Sequence, residues 1–536
     1  MRRVPDPIDG ASVAAWLAAL VAAIGAALAV RFGTFVPWGT DAGGYVEAAY
    51  RWADGRLAEP SPLALWASWV VADGAIGMPL GFRPGLPAGT DVSEYPAGLP
   101  LLMAAALRLA GDAGPYLVAP FCCGLLIWCT FDLARRLGGP WGGLLAAVLA
   151  AASPLTLVMA VQPMSDVPAT ALWLLALAMA LRTGVGAAAA CGAAASLAML
   201  VRPNLAPFAI IVGLLVLLTH TRPPAGARVA WAPVVVAAAA MTAGPLLVMW
   251  TSQVLYGSPF ESSYWGGWNW MFSTSYIAKN LGLAPGFLVA LHSPLAFAGL
   301  LTPLLVWRPS RLTAGLEPRR VAVTCVLIGL MNYLLYLTYL PYDDPHFLRF
   351  QMPAVMCLFV LLAGLSAWLW RRLRAWGRPL APLALIPAVV VLLYPRGLLL
   401  YPLTFQGPQT RVVLMGRYLA TVLPAEAVVL THLHGGAMAH YTNRPVVRLD
   451  RLPADALDRT VADLVAHGHE PVLLVGEEDE IPALRARFPS SPLVRLDWAP
   501  RARALSTGGF AYFRIADQAR YAAGERWPVD VLRPPG

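Results

Sequence analysis

Long apolar blocks recur along this 536-residue chain and constrain its fold more than any other feature. A helix of about 20 apolar residues is long enough to cross a hydrocarbon layer about 30 Å thick. Because lipid offers no hydrogen-bond partner to backbone amides, such blocks must be helices. We predict a polytopic α-helical membrane protein with about eleven transmembrane helices, at 11–30, 115–134, 140–159, 167–181, 186–201, 204–219, 229–250, 286–306, 321–340, 350–370 and 379–401.

The composition argues against one very large soluble core. Hydrophobic residues make up 58% of the chain and charged residues only 13%, whereas a soluble protein carries roughly 25% charged residues. The net charge of +9 would suit a nucleic-acid partner. However, the arginines lie at the ends of apolar blocks rather than along one soluble face. We therefore interpret the positive charge as topogenic and expect no nucleic-acid partner.

The arginines also predict which loops face the cytoplasm. If the N-terminus is cytoplasmic, short loops on the other side hold little more than Arg202, Lys279 and Arg349. Loops on the cytoplasmic side then collect Arg2, Arg3, Arg135, Arg136, Arg182, Arg222, Arg228, Arg308, Arg311, Arg319, Arg320, Arg371, Arg372, Arg374 and Arg378. This is the positive-inside pattern. It holds only if the short apolar stretch 96–110 does not cross, so we place that stretch at the outer interface.

Three regions are then predicted to face outward: 31–114, 251–285 and the tail from about 403. The first is too long for a simple connector, and it is apolar and aromatic enough to lie folded on the membrane with interfacial helices. In the tail, short strands are predicted at 427–432, 445–449, 471–476, 493–496 and 510–515. Helical patterns at 455–467 and 478–487 separate several of these strands. This alternation is typical of a small α/β domain.

These regions suggest two domains in a multi-pass protein of the cell (inner) membrane. Residues 1–402 would form a transmembrane catalytic domain, and residues 403–536 a soluble α/β domain outside the cytoplasm. The six cysteines all fall inside apolar blocks and lack the spacing of a metal site. We expect neither a metal nor a cofactor.

Three carboxylates are predicted to face outward. Asp41 follows the first span, Glu94 precedes the interfacial helix, and Asp166 opens the fourth span. Taken singly, Asp41 and Asp166 fit a structural role at a helix N-terminus, and Glu94 fits a solvated surface position. Their location on the same side favours a shared function, because ionisable groups at membrane depth cost about 2.5–3.5 kcal/mol and are usually functional.

Four cationic or titratable side chains face the same side: Arg202, Lys279, His346 and Arg349. One interpretation is contact with lipid headgroups. The other is a phosphate site, because charge-assisted donors suit phosphate oxygens. A sugar on a lipid phosphate already carries a good leaving group, so its transfer needs a base for the acceptor hydroxyl and cations for the departing phosphate.

Seven short motifs, in preserved order over most of residues 35–360, resemble the class C glycosyltransferases, in the branch of the aminoarabinose transferases and protein O-mannosyltransferases. They are Thr-Asp-Ala-Gly-Gly-Tyr at 40–45, Glu-Tyr-Pro-Ala-Gly-Leu-Pro-Leu at 94–101, Ala-Arg-Arg-Leu-Gly-Gly at 134–139, Ala-Ser-Pro at 152–154, Ser-Asp-Val-Pro at 165–168, Val-Arg-Pro at 201–203 and His-Phe-Leu-Arg-Phe-Gln-Met-Pro at 346–353. The family often has two adjacent carboxylates in the first motif, whereas here Ala42 follows Asp41.

The resemblance implies an inverting transferase that uses a monosaccharide linked to polyprenyl phosphate and a hydroxyl acceptor, which can be a lipid, a glycan or a protein. It makes Asp41 the base, with Glu94 and Asp166 orienting it or binding the acceptor. It assigns substrate binding to Tyr45, Arg202, Lys279, His346 and Arg349, the two arginines facing the donor phosphate.

Two other functions remain open for a chain of this kind. A transporter or flippase would move the lipid-linked sugar without chemistry, and such folds often show repeated halves and charges in mid-span. Neither feature is visible in the sequence. A non-catalytic subunit of cell-envelope assembly is the second alternative. Replacement of Asp41 discriminates among these functions, because a transferase alone would lose turnover.

Overall fold

A computed structural model describes the chain except for residues 1–9, 38, 65–66, 68, 71–72, 222–228, 265–270, 308–315, 376–388, 395–405, 479, 507 and 535–536. Most of the described chain is helical. The helices are α1 Gly10–Arg31, α2 Thr40–Ala53, α3 Gly98–Ala110, α4 Gly114–Gly138, α5 Pro140–Ala152, α6 Pro154–Ala160, α7 Asp166–Ala180, α8 Val185–Val201, α9 Phe208–Thr221, α10 Trp231–Tyr256, α11 Ile277–His292, α12 Thr302–Trp307, α13 Leu316–Leu337, α14 Met352–Ala375, α15 Gln406–Val422, α16 Gly435–Thr442, α17 Leu457–Ala466, α18 Glu480–Arg487 and α19 Asp517–Ala522.

Several of these helices are long and apolar enough to cross a membrane. Five ranges qualify by length and composition: Gly10–Arg31, Gly98–Gly138 (which combines α3 and α4), Trp231–Tyr256, Glu317–Leu337 and Pro345–Arg372. Two more consist of bent pairs, α5 with α6 at 59° and Thr274–His292 with Pro294–Val306 at 106°, and α7, α8 and α9 are shorter apolar helices. Most of the predicted span 379–401 lies outside the described residues, as do Arg2, Arg3, Arg222, Arg228, Arg308, Arg311 and Arg378. The count of eleven spans therefore stays a prediction.

The chain turns sharply between α3 and α4. Gly111 adopts φ +64°, a left-handed conformation that favours glycine. A β-carbon at Gly114 would overlap the carbonyl oxygen of Ala106, so the start of α4 lies directly against α3. Helix α3 is therefore a separate element from α4, as expected for the stretch 96–110. Its position at the outer interface stays a prediction.

Small residues let the helices approach closely. A β-carbon at Gly192 in α8 would lie 2.6 Å from the β-carbon of Ala240 in α10, and one at Gly244 in α10 would lie 2.8 Å from the Cα of Ser196 in α8. Helices in lipid associate through this kind of close packing, because lipid tails are as apolar as the side chains themselves. The alanine and glycine content of these blocks thus sets the spacing of the bundle.

An arginine cluster marks one end of the bundle. Asp132 in α4 is buried and accepts hydrogen bonds from Arg135 at 2.8 Å and Arg136 at 2.9 Å, and its carboxylate lies 3.5 Å from the guanidinium of Arg182. Arg182 follows the end of α7, whereas Asp166 begins it. A helix of 15 residues is about 22 Å long. The cluster and Asp166 therefore lie at opposite ends of the helices, in agreement with the charge asymmetry of the loops.

The first outer region and the tail each contain a β-sheet. In the first, β1 Glu59–Pro60, β2 Phe82–Pro84 and β3 Thr90–Ser93 form an antiparallel sheet in the order β1-β3-β2. The tail contains a mixed sheet in the order β5-β4-β6-β8-β7-β9, formed by β4 Ala427–Thr431, β5 Val446–Arg448, β6 Glu470–Gly476, β7 Ala502–Ser506, β8 Gly508–Arg514 and β9 Asp530–Leu532. Together with α17 and α18, this sheet confirms the small α/β fold predicted for the tail.

One predicted strand is wrong. Residues 493–495 belong instead to a 3-10 helix, Pro492–Arg495, and Leu496 follows its end. Pro492 favours the start of a helix because it lacks an N–H and has a fixed φ. The hydroxyl of Ser491 caps the turn by accepting from the backbone N–H of Leu493 at 3.3 Å. Strand β7 was not predicted, since the alanines that point inward from it have little β propensity.

The first outer region and the tail share one hydrophobic core. Leu63, Ala67, Val70 and Ile76 are buried in the same cluster as the tail residues Val428, Leu430, Val447, Leu473 and Phe513. The backbone N–H of Arg448 donates to the carbonyl of Ile76 at 2.8 Å, which ties the outer loop to β5. The predicted domain boundary at 402 falls among residues that are not described, and it stays a prediction.

Candidate active site

A cavity of about 940 Å³ lies where the transmembrane helices, the first outer region and the tail meet. This volume is within the usual range for small-molecule sites. The cavity is lined by seven residues that the sequence predicted: Asp41, Tyr45, Glu94, Asp166, Arg202, His346 and Arg349. The acidic and basic groups expected to act together therefore do share one cavity.

Asp41 forms an ion pair across the cavity. It is the second residue of α2, which begins directly after Gly39, whose φ of +65° lets the chain enter the helix at this angle. One carboxylate oxygen accepts from Nη2 of Arg349 at 2.9 Å, and the other accepts from the hydroxyl of Tyr95 at 3.1 Å. The side chain is one third exposed. A carboxylate has about four lone-pair sites, so Asp41 can still accept a further hydrogen bond from the cavity.

Asp166 forms a second ion pair, with Arg202. Asp166 begins α7, where the helix dipole favours a negative charge. Arg202 follows the last residue of α8, because Pro203 prevents the helix from continuing. Asp166 is 1% exposed, and its second oxygen has no hydrogen-bond partner among the described residues. The sequence did not indicate the pairing with Arg202, and the roles implied for Asp166, orienting Asp41 or binding the acceptor, stay predictions.

Phe350 lies between the two ion pairs. The guanidinium carbon of Arg202 is 5.2 Å from the centre of its ring, and that of Arg349 is 4.8 Å away. The ring packs against Tyr339 at a centroid distance of 4.7 Å and stacks on Tyr336 at 5.2 Å. Both cations therefore contact the same immobile aromatic ring.

Two tyrosines form the wall beside Asp41. The rings of Tyr45 and Tyr95 lie 4.5 Å apart, and the hydroxyl of Tyr45 donates to Oγ of Ser165 at 3.2 Å. A β-carbon at Gly44 would overlap the ring of Tyr95, so the glycine of the first motif makes room for this tyrosine. Burial, together with the charge of Asp41, raises the pKa of Tyr95 well above its usual value. Its hydroxyl therefore stays protonated and donates to Asp41.

Comparison with known proteins shows which proteins share this fold. Residues 95–250 match the family model described as dolichyl-phosphate-mannose-protein mannosyltransferase. ArnT from Cupriavidus metallidurans in the apo state shares the fold with a TM-score of 0.53 at 14% identity, over 92% of this chain and 97% of that chain. The chain has the fold of the class C glycosyltransferases. The resemblance of the seven motifs and the predicted helical membrane fold are both confirmed.

Two further solved structures share the fold of this chain. ArnT from the same organism, solved with bound undecaprenyl phosphate, has a TM-score of 0.52 at 14% identity, over 92% of this chain and 97% of that chain. An oligosaccharyltransferase from Archaeoglobus fulgidus, solved with a tethered acceptor peptide, has a TM-score of 0.53 at 11% identity, over 93% of this chain and 74% of that chain. A search of curated proteins finds no match.

Of the remaining predicted residues, two line the cavity and one does not. Glu94 is half-buried in its wall. His346 lines it as well, and its Nδ1 lies 3.0 Å from a carboxylate oxygen of Asp344. Lys279 is not among the lining residues, because its exposed ammonium pairs with Asp343 at 2.8 Å. Among the described residues, no group of three or more His, Cys, Asp or Glu is arranged to hold a metal ion.

The tail of this chain supplies residues that line the cavity and that the sequence did not indicate. Gln409, Arg448 and Arg451 line the same cavity as Asp41. Arg448 is held by a bidentate contact with Asp450, at 3.1 and 2.6 Å. No local pattern singles out these side chains, because the docking of a distant part of the chain brings them to the site.

Helix α16 of the tail packs on α2, the helix that carries Asp41. Nδ1 of His440 lies 2.9 Å from a carboxylate oxygen of Glu47, and its ring meets Tyr50 edge-on at 5.1 Å. Burial alone would raise the pKa of Glu47, but the hydrogen bond to His440 and the charge of Arg51 outweigh it and lower this pKa. The lowered pKa means that ionised Glu47 stabilises the folded protein. This stabilisation is fully present above pH 4.5, the ordinary pKa of a glutamate, and is lost as the pH falls below that value.

Replacing His440 with alanine is expected to loosen this contact. Loss of the hydrogen bond to a mostly buried carboxylate should lower the free energy of unfolding by about 1–3 kcal/mol. Thermal unfolding of the purified protein measures the effect. His467→Ala is the matched control, since this exposed histidine bonds within its own helical segment, to Asp463. Equal unfolding temperatures for the two variants would contradict the expected role of His440.

Proposed function

We propose that this glycosyltransferase moves a monosaccharide from a polyprenyl-phosphate carrier to a hydroxyl acceptor on the outer face of the membrane, with inversion at the sugar carbon. The observation that carries the proposal is the pairing of two carboxylates with two arginines, Asp41 with Arg349 and Asp166 with Arg202, in one cavity. A cavity of this size and charge can hold both a lipid-linked donor and the end of an acceptor.

The two arginines would bind the donor phosphate. A guanidinium has five N–H donors in a planar fork that matches phosphate oxygens. Arg202 and Arg349 each donate to a carboxylate through one terminal nitrogen, which leaves further donors for a ligand. The undecaprenyl phosphate bound to ArnT, which shares this fold, supports a carrier of that class.

Asp41 would act as the base. Its carboxylate is exposed to the cavity, whereas Asp166 is buried beneath Arg202. The acceptor oxygen attacks the anomeric carbon, its proton passes to Asp41, and the carbon–oxygen bond to the phosphate breaks with the electron pair leaving on the phosphate. No general acid is needed, since the leaving group is already an anion. Attack opposite the departing phosphate inverts the sugar carbon.

The acceptor and the nearby polar residues complete the proposal. Tyr45, Glu94 and His346 line the cavity beside the paired charges and would contact the sugar or the acceptor hydroxyl.

We assign the reaction to the extracytoplasmic side because the arginine cluster around Asp132 lies at the other end of α7. This assignment implies a cytoplasmic N-terminus, a catalytic region within 1–402 and a tail from 403 outside the cytoplasm.

Binding of undecaprenyl phosphate to the purified protein, followed by native mass spectrometry, tests the donor site. Arg202→Gln and Arg349→Gln should each weaken binding about tenfold or more, since a hydrogen bond to a charged group contributes about 1.5–3 kcal/mol. Arg459→Gln changes an exposed arginine outside the cavity and serves as the control. Equal binding by all three variants would remove the arginines from the donor site. Movement of the lipid across vesicles without sugar transfer would favour a flippase instead.

A further inference from the structure

We propose that Phe350 is a positioning residue, which holds Arg202 and Arg349 so that both guanidinium groups converge on one donor phosphate. The inference rests on the proposed function, because it assumes that a lipid-linked phosphate enters the cavity. It adds to that function a residue without charge and without a polar atom. Phe350 follows Arg349 directly in the sequence.

The geometry makes Phe350 a shared support for both cations. The two guanidinium carbons can lie at most about 10 Å apart, the sum of their distances of 5.2 and 4.8 Å from the ring centre. The face of an aromatic ring carries partial negative charge and attracts cations within about 6 Å. Because one ring attracts both arginines, it fixes the position of one relative to the other.

The surroundings of Phe350 keep the ring in place. Phe350 is 4% exposed and lies in a 3-10 helix, Pro345–Gln351, that leads directly into α14. Tyr336 stacks on it with an interplanar angle of 21°, and Tyr339 packs against it. A ring enclosed in this way has few alternative rotamers, so the arginines that contact it are also restrained.

The chemistry of the donor explains why such spacing matters. A sugar joined to a prenyl chain through one phosphate is a phosphodiester with two non-bridging oxygens. Arg202 is drawn toward Asp166 and Arg349 toward Asp41, so each guanidinium also has a carboxylate that competes for it. The ring gives each guanidinium a second attraction beside that of its carboxylate. We expect one non-bridging oxygen to meet each guanidinium.

Removing the aromatic face tests the inference. Phe350→Leu is expected to weaken the binding of undecaprenyl phosphate about tenfold, within the range of cation–π contributions in desolvated sites. Phe350→Tyr keeps the ring face and should stay within about threefold of the unchanged protein. Phe359→Leu removes a fully buried phenylalanine from α14 away from the cavity lining, and it controls for lost packing.

A double-mutant comparison separates positioning from a general structural role. In the Arg349→Gln protein, Phe350→Leu should cause a smaller loss of affinity than in the unchanged protein, because one of the two cations that it positions is gone. A purely structural role predicts the same loss in both backgrounds. If Phe350→Leu does not fold, Phe350→Met, which preserves more of the volume, replaces it in the same comparison.

The outcomes distinguish this inference from the proposed function. If the unchanged protein binds undecaprenyl phosphate and Phe350→Leu binds it equally well, the role of Phe350 is overturned and the donor site stands. If Phe359→Leu loses as much affinity as Phe350→Leu, the effect is packing and the inference is overturned as well. If the unchanged protein does not bind the lipid, the donor site and the inference both fall.

Discussion

Asp41→Asn is expected to lower the rate of sugar transfer by about 10²–10⁴-fold, the usual contribution of a positioned base. Asparagine has nearly the same shape and still accepts a hydrogen bond from Tyr95, but it cannot take a proton from the acceptor. The binding of undecaprenyl phosphate should stay within a few-fold of the unchanged protein. Transfer from a radiolabelled lipid-linked sugar to cell-envelope acceptors, with lipid binding measured in parallel, checks both expectations.

Asp343→Asn is the matched control for this change. Asp343 is a carboxylate that also pairs with a cation, Lys279, but its side chain is 75% exposed and it does not line the cavity. Transfer by Asp343→Asn should therefore equal that of the unchanged protein. If Asp41→Asn retained full transfer, Asp41 would not be the base, and the site would need another acceptor for the proton.

Asp166→Ala is expected to lower the free energy of unfolding by about 3–5 kcal/mol. The change removes a carboxylate that is 1% exposed and leaves the mostly buried guanidinium of Arg202 without its counter-ion. Breaking a buried ion pair in this way usually costs that much. Thermal or denaturant unfolding of the protein in detergent measures the loss.

The double variant Asp166→Ala with Arg202→Met tests the reason for this loss. It removes both charges, so no ion is left uncompensated, and it should recover a large part of the lost stability. Lys279→Met in the exposed pair with Asp343 is the control and should change stability by about 0–1 kcal/mol. A double variant no more stable than Asp166→Ala would mean that the cavity left by the carboxylate, rather than the unpaired charge, causes the effect.

The sequence was sufficient to gather the charged residues at one end of the helices. The arginine content of the short loops assigns an end to each helix whatever the details of packing, and so Asp41, Asp166, Arg202 and Arg349 could be placed together. Which acid binds which arginine could not be predicted. The partners Asp41 and Arg349 are 308 positions apart, and Asp166 and Arg202 are 36 apart. Their pairing depends on how the helix ends meet.

The residues that the tail contributes to the cavity could not be predicted from a local sequence pattern, because they too depend on how distant parts of the chain meet. Sequence periodicity predicted the strands β4, β5, β6 and β8 and the helices α17 and α18, but not the longest helix of the tail, α15. It could not show that Arg448 and Arg451 reach the cavity, since this depends on the hydrogen bond between β5 and Ile76 and on the packing of α16 on α2. Phe350 was missed because an aromatic residue within an apolar stretch is normally read as core. Its proposed role depends on Arg202, which a distant part of the chain brings close to the ring beside its sequence neighbour Arg349.

The hydrophobic core shared by residues 63–76 and the tail limits which recombinants between related genes can fold. A tail inherited from a relative through recombination near residue 402 would meet Leu63, Val70 and Ile76 of a different ancestry. Mismatched apolar contacts of this kind usually cost 1–3 kcal/mol each, roughly. New combinations of membrane portion and tail should therefore persist only when the first outer loop travels with the tail, even though the two lie more than 300 positions apart along the gene.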